Sequence, residues 1–180
     1  MNKIAILSVI LFFTNSVNAD MIVPRLSLNF PGTYELDALE ASDVGTQLSG
    51  AVGVEYLHQD SDHITVGVGA QYTLDTKLNS VASAFNLQSV YLTIIYTLVR
   101  DLGGVAPYIK VNAGCNTLLS RSDDRKIDGD VKGSAYWAAG IGTKFLNNFY
   151  TDVMYSSNIS ISGDIKYSTI SLNMGYGFGI

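Results

Sequence analysis

The sequence predicts an all-β protein, a single eight-stranded antiparallel transmembrane β-barrel in an up-and-down meander, after a cleaved signal peptide. Three observations carry this. First, the last twelve residues alternate without a break: Thr169, Ser171, Asn173, Gly175, Gly177 and Gly179 are small or polar, while Ile170, Leu172, Met174, Tyr176, Phe178 and Ile180 are apolar. A period of two belongs to a strand whose faces meet different media. A polar face of Gly and small hydroxyls suits the inside of a narrow barrel, and leaves the apolar face for lipid. Second, apolar content is high but dispersed. The 180 residues are 47% hydrophobic and 15% charged, with mean hydropathy +0.21. Yet past the N-terminal segment the longest run without a charged or strongly polar residue, 90–99, is far below the ~20 residues a spanning helix needs. Third, Lys3, the apolar stretch 4–13 and a polar segment ending in Val17-Asn18-Ala19 have the layout of a secretory signal peptide. This assigns residues 1–19 to the signal and 20–180 to the barrel domain.

Eight alternating segments follow in order. In 22–30, Leu26, Leu28 and Phe30 face out, and Arg25, Ser27 and Asn29 in. In 44–57, Val44, Leu48, Val52, Val54 and Tyr56 face out, with Gly45, Gln47, Ser49, Ala51, Gly53 and Glu55 in. Segment 63–75 alternates Ile64, Val66, Val68, Ala70, Tyr72 and Leu74 with Thr65, Gly67, Gly69, Gln71 and Thr73. Segment 85–98 exposes Val90, Leu92, Ile94, Tyr96 and Leu98, and Ile95 interrupts its inner face of Ser89, Tyr91, Thr93 and Thr97. Pro107 is tolerable as the opening residue of 107–119, which sets Ile109, Val111, Ala113 and Cys115 against Tyr108, Lys110, Asn112, Gly114 and Asn116. Segment 133–145 sets Ala135, Trp137, Ala139, Ile141 and Phe145 against Tyr136, Gly140, Gly142 and Lys144. Segment 148–157 turns Phe149, Val153 and Tyr155 out and Tyr150 and Asp152 in. Segment 165–180 completes the barrel. Each is long enough for a tilted strand to cross the hydrocarbon layer.

Loop lengths set the orientation. With the C-terminus periplasmic, the inner turns 58–62, 99–106 and 146–147 are short. The outer loops 31–43, 76–84, 120–132 and 158–164 are mostly longer and more polar, as in outer-membrane barrels. Outward aromatics fall at two heights: Tyr56, Tyr96, Phe145, Phe149, Tyr176 and Phe178 low, Phe30, Tyr72, Trp137 and Tyr155 high.

The paired segments Ala138-Ala139-Gly140-Ile141-Gly142-Thr143-Lys144-Phe145 and Phe149-Tyr150-Thr151-Asp152-Val153-Met154-Tyr155, with the ending Asn173-Met174-Gly175-Tyr176-Gly177-Phe178-Gly179-Ile180, resemble the small eight-stranded bacterial outer-membrane barrels. That group, the outer membrane protein beta-barrel domain family, includes opacity-type adhesins and the OmpA-like transmembrane domain. The resemblance implies residence in the cell outer membrane, contact with its lipid, and handling by periplasmic chaperones and the barrel-assembly machinery. Gly175, Tyr176, Phe178 and Ile180 would form the assembly signal, with Ile180 standing where the family usually has Phe.

Eleven basic against sixteen acidic residues, a net charge of −5, and the lack of a basic cluster argue against nucleic acid. Cys115 is the sole cysteine, so no intramolecular disulfide can form, and it reads as a small lipid-facing hydrophobe. Inside the barrel, Arg25, Glu55, Lys110 and Asp152 share one depth, with Lys144 slightly lower. Buried charges are costly unless paired, so the five are expected to form a plug-like ion-pair network.

Catalysis on outer-leaflet lipid would need His with Ser or a carboxylate at the outer rim. Both histidines, His58 and His63, flank a periplasmic turn with Asp60 and Asp62, an arrangement that also admits a weak metal reading. In the third outer loop Asp123, Asp124, Asp128 and Asp130 alternate with Arg121, Arg125, Lys126 and Lys132, which favours a solvated loop over a calcium site. The expectation is a non-enzymatic structural or adhesin-like barrel with no cofactor or metal, whose loops meet an unnamed extracellular ligand. The alternatives are a narrow OmpW-like channel for small solutes and a secreted lipocalin-like barrel, which would need the opposite facing.

Overall fold

The computed structural model describes residues 20–36, 44–77, 79, 83–122, 133–145, 148–160 and 165–180. The signal-peptide segment, the four acidic residues of the third outer loop and the inner turn 146–147 lie outside the described residues.

Alternation at period two makes every described element a strand: β1 (Asp20–Asn29), β2 (Thr33–Leu36), β3 (Val44–Gly45), β4 (Ser49–Gln59), β5 (Ile64–Thr73), β6 (Thr76–Lys77), β7 (Ser83–Thr97), β8 (Val105–Ser122), β9 (Gly133–Phe145), β10 (Phe149–Ser160), β11 (Ile165–Tyr176) and β12 (Phe178–Gly179). The eight long ones pair with their neighbours in chain order, and β1 returns to pair with β11, placing Arg25 opposite Gly175 and Asn29 opposite Ser171. The sheet is thereby a closed, antiparallel, up-and-down barrel, which satisfies every ladder group without leaving an edge in lipid.

The four short strands correct the segment bounds. The predicted segment 44–57 is broken. Thr46 is buried, Gln47 and Leu48 are both exposed, and Gln47 therefore points out, not in. The break arises because Thr46 Oγ1 accepts the Gly32 amide proton at 2.8 Å, while the Gln47 amide donates to Lys77 O at 2.8 Å. A one-residue bulge after Thr73 also changes parity, since Tyr72 faces Gln88 but Thr76 faces Phe85. Together β2, β3 and β6 continue the wall on the outer side, β2 and β6 within what the sequence reads as loops and β3 at the start of the predicted segment 44–57. At the other end 165–180 is interrupted at Gly177, whose amide donates to Asn148 O, so Phe178–Gly179 is a separate strand against Met21 and Ile22.

Facing follows the predicted parity over the spanning parts. Leu26 (64% exposed), Leu92 (60%) and Ile141 (68%) stand on the outside. Outward aromatics cluster in contacting pairs, Trp137 with Tyr155 at 5.5 Å on the outer side and Tyr176 with Phe178 at 5.0 Å on the periplasmic side. The periplasmic turn before β8 needs two left-handed residues, Gly103 (φ 68°) and Gly104 (φ 89°), and the Gly104 amide donates to Asp101 Oδ1.

Candidate functional site

The barrel interior collects the charges that parity turns inward. Arg25 comes five residues into β1, Glu55 four from the end of β4, Lys110 from β8 and Asp152 from β10, so all four meet at one depth nearer the periplasmic end. Arg25 Nη1 donates to Glu55 Oε2 at 2.7 Å, and Nη2 pairs with Asp152 Oδ2. Lys110 Nζ donates to Glu55 Oε1 at 2.6 Å and lies 4.0 Å from Asp152 Oδ2. The remaining carboxylate lone pairs accept from neutral donors: Tyr91 Oη on Glu55 (2.9 Å), Tyr108 Oη on Asp152 (2.9 Å) and Asn173 Nδ2 on Asp152 (2.7 Å). Two cations and two anions therefore balance inside one hydrogen-bonded cluster, the condition under which buried ion pairs are sustained. Gly69 makes room for it, because a Cβ there would sit 2.5 Å from the Tyr91 ring.

Lys144 is not part of this cluster. It sits closer to the periplasmic end, with Nζ 5.5 Å from the centre of the Tyr150 ring, and forms no ion pair with a described carboxylate. The five-member layer expected from the sequence is thus four residues plus a separate lysine. The cause is geometric: Lys144 lies opposite Tyr150 and Ala106, whereas Lys110 is opposite Gly140, four residues further in along β9 than Lys144.

Beneath the ion pairs lies an apolar layer that the sequence reading left out. Val23 and Leu57 are fully buried, and Met21, Ile95, Tyr108 and Tyr150 are at most 6% exposed. The signal was present, since Val23 shares the parity of Arg25 and Leu57 that of Glu55. Above the ion pairs the lining is polar and encloses a cavity of about 40 Å³ among Asn29, Ser89, Asn112, Asn158 and Ser171, room for roughly three waters. Below the apolar layer a vestibule of about 250 Å³ opens at the periplasmic end beside Lys144, Arg100 and Tyr150.

The remaining candidates lie apart. His58 Nδ1 is 2.6 Å from Asp20 Oδ1, and His63 Nδ1 is 2.8 Å from Thr97 O, so the two histidines face different partners. Of the terminal residues, Gly175 is buried opposite Arg25, Tyr176 and Phe178 face out, and Ile180 donates its amide to Asp20 O at 3.0 Å. Cys115 is exposed on the outer face.

No curated protein sequence matches the chain. Among solved structures it is similar to the attachment invasion locus protein Ail of Yersinia pestis, crystallised with the heparin analogue sucrose octasulfate (18% identity, covering 89% of this chain and 99% of Ail, TM-score 0.54). It is similar also to Neisserial surface protein A (13%, 88% and 97%, TM-score 0.56) and to the outer membrane enzyme PagL (15%, 87% and 98%, TM-score 0.58). At these identities the likeness is one of fold. The family model described as outer membrane protein beta-barrel domain matches residues 25–178, and the chain belongs to that family and to the cell outer membrane.

Proposed function

We propose that this barrel is a non-enzymatic surface-interaction protein whose closed interior anchors outer loops that meet an extracellular ligand. The observation that carries this reading is the stacking of a charge-balanced ion cluster on a fully buried apolar layer, with Val23 and Leu57 at 0% exposure. Such an interior supports a lumen closed to bulk water, which leaves recognition to the loops. The placement of both histidines beside periplasmic turns supports the non-enzymatic part, because an outer-leaflet substrate lies at the far rim. Ail, bound to a heparin analogue, makes sulfated glycan a sensible first probe for the loops here.

The test is attachment of cells displaying the intact chain to immobilised heparin and matrix proteins, against cells displaying a variant in which the outer segments beyond the strands, 37–43, 78–82, 123–132 and 161–164, are replaced by short turns. Loss of attachment with a heat-modifiable barrel supports the reading; equal attachment contradicts it.

A second reading, a gated narrow channel, draws on Lys110, which lies within 4.0 Å of both carboxylates and could exchange Glu55 for Asp152. The apolar layer beneath would then have to open as well.

A further inference from the structure

The ion cluster is neutral by itself, so Lys144 is the cation left over, and its surroundings are those of a binding site. The vestibule of about 250 Å³ into which it projects is floored by the side chains of Ile95, Tyr108 and Tyr150, members of the buried apolar layer, and is open towards the periplasm. Lys144 is half-buried on its wall. Two carboxylates also line the vestibule, each held at its rim away from the Lys144 ammonium: Asp62 pairs with Arg100 Nη2, and Asp101, whose charge this contact does not cancel, accepts the Gly104 amide through Oδ1 in the glycine turn. Lys144 is thus held over an aromatic ring, with no described carboxylate within ion-pair distance of its ammonium. An ammonium drawn partly out of water attracts an anion, and the attraction strengthens as the local dielectric falls.

We infer that the periplasmic vestibule is a binding site for a small organic anion, a carboxylate carried on a flat apolar body. The carboxylate would accept from Lys144 Nζ, and the apolar body would lie on the floor formed by Tyr150, Tyr108 and Ile95. The vestibule is somewhat smaller than the roughly 300–1,000 Å³ of pockets for drug-sized ligands, which sets the occupant at about the size of a single ring or amino acid. This site is independent of what the outer loops bind.

The experiment is a titration of the complete barrel domain, refolded in detergent micelles, with benzoate, its neutral isostere benzamide, and inorganic phosphate. Backbone amide resonances of Thr65, Ile95 and Lys144 report the vestibule, and those of Leu26 and Leu92 report partition into the lipid-facing surface. The expected result is saturable movement of the first set by benzoate, with benzamide, which lacks the charge, and phosphate, which lacks the apolar body, each weaker by at least about tenfold. Lys144→Arg should keep the benzoate response and Lys144→Gln should lose about tenfold. Equal responses to benzoate and benzamide, a phosphate response matching that of benzoate, movement confined to Leu26 and Leu92, or an undiminished response in Lys144→Gln would each overturn the inference. Should Lys144→Gln fail to fold, the wild-type comparison of benzoate with benzamide decides the matter.

Discussion

Arg25 and Glu55 stand on strands adjacent in the barrel and join through Nη1 and Oε2 at 2.7 Å, both side chains almost completely withdrawn from solvent. Removing one member of such a pair leaves a buried charge behind, at a cost of about 3–5 kcal/mol in a dry site. Here Lys110 already lies 4.0 Å from Asp152, and Arg25 is already paired with it, so one carboxylate remains as a partial substitute for both cations when Glu55 is truncated. Glu55→Ala should therefore lose about 3 kcal/mol, the low end of that range, measured as urea unfolding from vesicles. Asp152→Ala should lose less, because Glu55 still pairs directly with both Arg25 and Lys110, and Tyr108 and Asn173 have Thr151 O and Ser171 Oγ as further acceptors.

Gly69 tests the packing around the same carboxylate. A methyl group there meets the Tyr91 ring at 2.5 Å and would push its hydroxyl off Glu55. Gly69→Ala should cost about 1–3 kcal/mol by overpacking. Tyr91→Phe, which removes the hydrogen bond but keeps the ring, should cost about 1 kcal/mol. A Gly69→Ala barrel as stable as the wild type would mean that the ring has room to move.

Facing is tested on the lipid side. Val68 pairs with Leu92 and Leu172 with Leu28, all in the outward apolar band. Arg at position 68 or 172 should cost about 2–4 kcal/mol near the bilayer midplane, and Arg at Phe149 or Phe178, close to the periplasmic rim, about 0–1. Indifference at both central positions would mean that the faces are reversed.

Much of this was legible in the sequence, for reasons that residues such as Leu172 and Asp152 make plain. In a membrane barrel the two faces meet lipid and a packed interior, so parity alone assigns each spanning residue to a side. Where that difference of media ends, so does the legibility. Above the membrane both faces of a strand meet water, so a bulge such as the one after Thr73, or the break at Thr46, leaves no mark on the pattern. Parity also says nothing of depth to within a residue or two, which is why Lys144 reads as part of the ion layer and lies apart from it. The apolar layer was hidden differently. A polar interior is the expectation for such barrels, and Leu57, Val23 and Met21 depart from it within strands whose other inward residues are polar or small.

That layer makes its own prediction. Because Leu57 is fully buried, Leu57→Ala should lose about 2–5 kcal/mol. Leu57→Asn or Ile95→Asn should wet the layer and raise the frequency of brief openings in planar bilayers. If neither changes conductance, the ion cluster alone is the barrier.

The whole chain should migrate differently in SDS before and after boiling, since closed strand pairing satisfies the backbone in lipid. Identical mobility in both states, with extraction by carbonate, would remove the membrane placement.

The most direct measurement is single-channel recording of the wild-type barrel in planar bilayers, set beside Glu55→Ala and the double variant Glu55→Ala with Leu57→Asn. A closed interior built of two stacked layers predicts small, rare wild-type openings, a modest increase when the ion cluster is cut, and a larger one when both layers are breached. Large, steady wild-type conductance that neither variant changes would show an open pore, and the barrel would then be a channel in place of an anchor for its loops.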